Sequence, residues 1–372
     1  MQTAGRRGYT DIVSLADVGD GLCASVQSSF RNTIQIDCGS QQGGRRAAAG
    51  LLRNYGLFPN RNNAFLLSHF HADHYNGLVR LSVSPSIPIG FTRVFSPRLP
   101  QFNERRDFLM RLFTLNVMLL GSDTGLMEYD LMKVVTRLNR GRRPQFRFIS
   151  SGETIDFDGS TIDILWPPRT LDSKVALRTI RRSIEDFDKA MEEDAIIREL
   201  YQRMSNDSLI DDYLDDTSSN DNPGSGRHDD VARVEQEIEI YPKSFRRAQL
   251  PKLVAKANES IREAANHLAV IASQDNRLLF FGDAEKLEIS RVVNDLVAKG
   301  RTKYYVLITP HHGTHWHDRL GRLVCVHAIS SNGPKLHSKT KSGFKDISRM
   351  HHVTYWNGDI SVPRSFFSPT WY

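Results

Sequence analysis

A mixed α/β (α+β) fold is what the sequence predicts: two β-rich segments with helices between them, interrupted by a large helical insertion. Three observations predict it. Short apolar runs punctuated by Gly, Asn and Asp fill the first hundred residues and resume near 265–361. The stretches between carry apolar residues at three- and four-residue spacings, the period of amphipathic helices. Residues 207–230, "DSLIDDYLDDTSSNDNPGSGRHDD", follow neither pattern; polar, acidic and rich in Gly, Pro and Ser, they predict a flexible linker.

In chain order, "DIVSLADVGDGL", "CASVQSS", "TIQIDCG", "NAFLLSH" and "TRVFSP" predict strands, and "GGRRAAAGLLRNYG" a short helix ended by its Gly. "NERRDFLMRLFTLNVMLLG" and "TGLMEYDLMKVVTRLNRG" predict amphipathic helices. Alternation returns at 146–168, "FRFISSGETIDFDGSTIDILWPP", as a hairpin-like strand group. "SKVALRTIRRSIEDFDKAMEEDAIIRELYQRMS" then predicts one long charged helix. "NHLAVIAS", "NRLLFFGDAE" and "YYVLITPHHGTHWH" predict strands, with the helix "KLEISRVVNDLVAKG" among them. After "VCVHAISSNG" come a helix near 342–350 and "HHVTYWNGDISV", whose Asn357-Gly358 pair signals a type I′ hairpin. The whole chain, 1–372, reads as one domain, with 100–265 as the insertion.

Bulk properties narrow the class. At 40% hydrophobic and 25% charged residues, the chain is globular in composition. No apolar run reaches the roughly 18–20 residues of a membrane-spanning helix, and no signal-type apolar segment opens the sequence. Cys23, Cys38 and Cys325 lie far apart, which predicts no disulfide framework and a reducing, cytoplasmic setting. Net charge is +6 and the pI about 9.2, with basic clusters at 137–147, 178–183 and 243–252. That balance is compatible with a polyanionic partner.

The chemistry concentrates in "LSHFHADHYNGL" (67–78), where His69, His71, Asp73 and His74 crowd the mouth of a predicted strand. Histidines at i and i+2 of an extended segment point the same way. Imidazole and carboxylate together are the usual ligands of zinc and related divalent ions. "LLFFGDAE" delivers Asp283, and "VLITPHHGTHWH" His311 and His312, each at the end of another apolar run. Such repetition at strand ends points to one shared metal centre rather than to packing.

"SHFHADH" resembles the HxHxDH signature of the metallo-β-lactamase fold. The series "DVGDGLCASVQ", "TIQIDCG", "LSHFHADHYNGL", "ILWPP", "NHLAVIAS", "LLFFGDAE", "PHHGT" and "SSNGPKLH" is similar to the hydrolase domain of the competence protein ComEC and its stand-alone relatives. The likeness covers about 10–100, 146–168 and 265–361, and implies a four-layer αββα sandwich. It implies two divalent ions, zinc or manganese: His69 and His71 on the first, Asp73, His74 and His312 on the second, Asp283 bridging. Asp73 and His311 would serve catalysis, His311 as donor to an oxyanion. Asp37 would buttress the metal loop and His337 would stand at the rim. A further family histidine has no convincing counterpart; His228 lies in the linker and His267 is a weak match. His315 and His317 read as surface-loop residues.

Two such ions would lower the pKa of a shared water and neutralise charge on the attacked group. The resemblance and the positive charge favour a nuclease or phosphodiesterase, with Arg140, Arg142 and Arg143 holding a nucleic-acid backbone. Two other readings stand beside it: a small-molecule hydrolase, such as a phosphocholine-type esterase or a lactonase, and a non-catalytic interaction module stabilised by metal. The insertion could serve as a lid, a nucleic-acid clamp or a surface for a partner protein. No membrane partner is expected.

Overall fold

The central strands in this chain bury both faces, and that decides the architecture. The computed structural model describes residues 11–28, 32–57, 62–83, 89–124, 129–157, 160–205, 209–215, 250–274 and 276–364. In chain order the first strands are β1 (Asp11–Leu15), β2 (Ala24–Gln27), β3 (Thr33–Ile36), β4 (Asn63–Leu66), β5 (Phe91–Pro97), β6 (Gln145–Ile149), β7 (Thr154–Phe157) and β8 (Ser160–Trp166). The rest are β9 (Ile271–Gln274), β10 (Leu278–Phe280), β11 (Lys303–Ile308), β12 (Val324–Ser330), β13 (Ser348–Val353) and β14 (Ile360–Arg364). They form two seven-stranded sheets, ordered β14-β1-β2-β3-β4-β5-β6 and β13-β12-β11-β10-β9-β8-β7. Both are mixed: β3 to β6 run parallel in one, β10 to β13 in the other, and the remaining pairs are antiparallel.

Alternate side chains serve two cores. In β4, Ala64 and Leu66 enter a cluster shared by both sheets, while Phe65 and the following Leu67 pack against helices. Leu278 and Phe280 of β10, and Val306 and Ile308 of β11, meet that shared cluster from the other sheet. Every member of it lies in a strand or beside one, so the sheets face each other with no helix between. This double burial explains why the runs read as continuously apolar.

Helices cover the outer faces: α1 (Gly44–Leu57), α2 (Ala72–Ser82), α3 (Arg105–Thr124), α4 (Leu131–Leu138), α5 (Lys174–Glu193), α6 (Ala195–Ser205), α7 (Leu209–Leu214), α8 (Lys252–Asn266) and α9 (Lys286–Ala298). Their buried residues share one cluster with the outward-facing strand residues, so 100–265 is continuous with the main core. No helix among the described residues is long and apolar enough to cross a membrane.

Several local expectations are corrected. The strand group 146–168 divides between the sheets: β6 edges the first, and the β7–β8 hairpin edges the second. The long helix of 173–205 is two, because Asp194 leaves the helical region and its Oδ1 accepts from the amides of Ile196 and Ile197, starting α6. Within the expected linker, 209–214 is helical, and 216–230, with His228, lies outside the described residues. Only α10 (Gly343–Asp346) of the helix near 342–350 forms, since 348–353 pairs with β12 as β13. Asn357-Gly358 makes no hairpin: it closes a one-turn helix, α11 (Thr354–Asn357), with Gly358 at φ +67, and β13 and β14 belong to different sheets.

Candidate metal centre

Parallel strands deliver their C-terminal ends to one edge, and there the motifs meet. Asp37 follows β3, the histidine loop follows β4, Asp283 follows β10 and the His311–His312 turn follows β11. A backbone hydrogen bond from Val270 N to Ser68 O ties the two sheets together beside them. His71 occupies the N-cap of α2 without capping it; Asn116 of α3 does that work, accepting from Ala72 N and donating to Phe70 O. The His71 ring is thereby left to the centre.

His69, His71, His74, Asp283 and His312 are all buried and converge. Two triads have ligand atoms within 4.8 Å of one another, His69/His71/His74 and His74/Asp283/His312. Asp283 Oδ2 lies 3.5 Å from Nε2 of His74 and of His312, 3.8 Å from His311 Nε2 and 4.0 Å from His69 Nε2. Four inward atoms, His71 Nε2, His74 Nε2, Asp283 Oδ2 and His312 Nε2, have no hydrogen-bond partner. Buried polar atoms without partners are costly, and a divalent cation bound by either triad would offset part of that cost. The donor set fits a metal ion.

Asp37 buttresses the loop. Its carboxylate accepts from Ser68 N (2.7 Å), Ser68 Oγ (2.5 Å) and His74 Nδ1 (2.8 Å). With Nδ1 so occupied, His74 presents Nε2 to the centre, the orientation that carboxylate–histidine pairs impose on metal ligands. The turn at Pro310–Gly313 is unusual backbone: His311, His312 and Gly313 have φ of +45, +60 and +85. Two non-glycine residues in the left-handed region are strained, and the strain aims both rings at Asp283.

Charges follow from burial. Burial pushes His69 well below the usual histidine range, helped by His74 and His71. Burial, then Arg262, lowers His71 to about 3, so both rings are neutral and ready to ligate. Burial opposes charge on His74 too, but Asp37 and Asp283 outweigh it and raise His74 to about 10. His74 is therefore protonated in the metal-free protein, and ligation through Nε2 must displace that proton. Calorimetric titration with Zn²⁺ at pH 6, in buffers of different ionisation enthalpy, is expected to show at least about one proton released per ion bound. Zero release would remove His74 from the ligand set.

Asp73 departs from its expected role. It joins neither triad; its Oδ2 accepts from Arg262 Nη2 of α8 at 2.9 Å, both side chains being largely buried. Burial opposes its charge, yet Arg262 and the neighbouring histidines hold it well below the usual carboxylate range. Arg262 is the site residue that sequence reasoning missed. His315 was underrated as well: its Nε2 is 2.8 Å from His311 Nδ1, and with Glu285 and His311 it makes a third, half-buried triad. His317 only caps, accepting from Arg319 N. His267 is pinned to Glu288 through Nδ1 at 3.0 Å and enters none of the triads.

His337, expected at the rim, joins none of the triads and stacks on Tyr355 with ring centroids 3.9 Å apart. Arg140, Arg142 and Arg143 do not stand near the centre. They occupy the turn before β6, and Arg147 of β6 is level with Phe95 and so with Leu66 of β4. The turn lies below that level and His69 above it, roughly 15–20 Å apart along the strand axis.

Comparison with protein-family models gives no match, and no curated protein matches the chain.

Proposed function

We propose that the chain is a metal-dependent phosphodiesterase acting on nucleic acid, built on the four-layer αββα arrangement of the metallo-β-lactamase fold. The layering is supported by the helix-free core between the sheets and the helices on their outer faces. The observation that carries the reading is the convergence of five buried ligands, four atoms of which lack partners, where the two sheets join. A divalent ion held there supplies Lewis acidity and an activated water. His311, partly open to solvent and held by His315, is placed to donate to a developing oxyanion.

The rim favours a nucleic-acid substrate over a small one. Loop 331–341 leaves β12 on the same edge and is tied to the centre, Lys341 N donating to Gly313 O and Asn332 Nδ2 to His312 O. Asp20 fixes it from the other sheet by accepting from the amides of Gly333, Lys335 and Leu336. This loop exposes Lys335, Lys339 and Lys341, and beside it stand Tyr355 and Trp356, 44% and 62% exposed. Lysines for phosphate and aromatic faces for bases are the two components of a single-strand platform.

The test loads the protein with Zn²⁺ or Mn²⁺ and offers single-stranded DNA, duplex DNA, RNA and bis-p-nitrophenyl phosphate. Cleavage of single strands is expected. Replacing Lys335, Lys339 and Lys341 together by Ala should weaken polymer binding and flatten its log–log salt slope by about 2. Replacing Arg140, Arg142 and Arg143 should change neither. If the loaded protein cleaves none of the nucleic acids, the esterase or lactonase reading takes over.

A further inference from the structure

The five converging ligands do not divide into two complete sets. Both triads require His74, whose Nδ1 is committed to Asp37 and whose Nε2 carries one lone pair. One ion can therefore claim three of these ligands, and a second would be left with two. The carboxylate that the resemblance assigns to the second ion, Asp73, is bound to Arg262 instead.

Arg262 is held there, not wandering. Helix α8 is clamped to α5 by Lys256 and Ser260 on Asp186 (2.7 and 2.6 Å), and its C-terminal Asn266 donates to Glu285 at 3.0 Å. The guanidinium side chain is 18% exposed and is fixed on Asp73, which stands in the chain between the candidate ligands His71 and His74. Guanidinium does not deprotonate in proteins, so the positive charge is permanent and would repel a second dication in the same space.

We propose that the centre holds one divalent ion and that Arg262, tethered by Asp73, stands as the second positive charge, facing the anionic oxygens of a phosphodiester. Its planar fork can keep one donor on Asp73 and turn others to a phosphoryl oxygen. Asp73 is then a positioning residue for Arg262 and not a metal ligand. The substrate half of this inference rests on the phosphodiesterase reading, whereas the ion count does not.

Titrating metal-stripped protein with Zn²⁺ and, separately, Mn²⁺, with elemental analysis after dialysis, is expected to give one ion per chain. Asp73→Asn should still bind one ion, with affinity within about fivefold of the parent. Two ions in the parent, or none in an Asp73→Asn protein whose circular dichroism and melting stay native, would overturn the proposal. Arg262→Met should raise KM for bis-p-nitrophenyl phosphate at least about tenfold, and Arg262→Lys should recover most of that loss. An unchanged KM in Arg262→Met removes the substrate-facing role. Should the parent bind one ion but hydrolyse no phosphodiester, the phosphodiesterase reading fails while the ion count stands.

Discussion

Asp283→Ala is expected to strip the protein of metal and to lower turnover roughly 1,000-fold or more. Its Oδ2 is the carboxylate atom set among four imidazoles, within 4.0 Å of His69, His74, His311 and His312. Burial opposes its charge, yet His312, His311 and His74 hold it well below the usual carboxylate range, so it is ionised whenever a metal could bind. Without it a dication would meet imidazole rings alone, with no carboxylate left in either triad. Asp283→Asn separates charge from shape: it should lose metal almost as completely while keeping the side-chain volume. The metal-free protein should melt within a few degrees of the metal-free parent, because the residue serves the ion and not the core. Elemental analysis and thermal melting read both quantities, and unchanged metal content in either variant would refute the assignment.

The candidate ligands were legible because few residue types bind metal and because they sit at the ends of runs buried on both faces. Asp37, His69, His71, His74, Asp283 and His312 all meet where "TIQI", "NAFL", "LLF" and "KYYVLI" end. Arg262 was not legible. It pairs with Asp73 from 189 positions away, and an arginine on a charged helix looks in sequence like any solvated one. Charge clustering has the same weakness: "RGRR" at 140–143 is conspicuous, but only the parallel register of β4, β5 and β6 reveals which end of the sheet it occupies. β13 escaped notice because "SRMHHV" is a half-exposed edge strand and lacks the apolar alternation that marks the others. The break at Asp194 was hidden by the helix-compatible period on both of its sides.

Gly39→Ala is expected to be the most damaging change outside the ligand set. A Cβ at Gly39 would stand 1.9 Å from Asp73 O, 2.2 Å from Asp73 C and 2.5 Å from His74 Cα. All three are backbone atoms of the first turn of α2, so no rotamer change relieves the overlap. Nor can the two segments simply part, because Cys38 N donates to His74 O and Gly77 N to Cys38 O at 2.8 and 2.9 Å. The helix must shift as a body, which draws His74 from Asp37 on one side and from Asp283 on the other. The expected cost is on the order of 3–5 kcal/mol of stability, with Zn²⁺ affinity down at least about tenfold in whatever fraction folds. Gly321→Ala is the control, since its added Cβ meets nothing within 4 Å. Denaturant titration measures the first effect and Zn²⁺ titration of the folded fraction the second. A Gly39→Ala protein with parental stability and parental Zn²⁺ affinity would show that the α2 backbone does not set the position of His74.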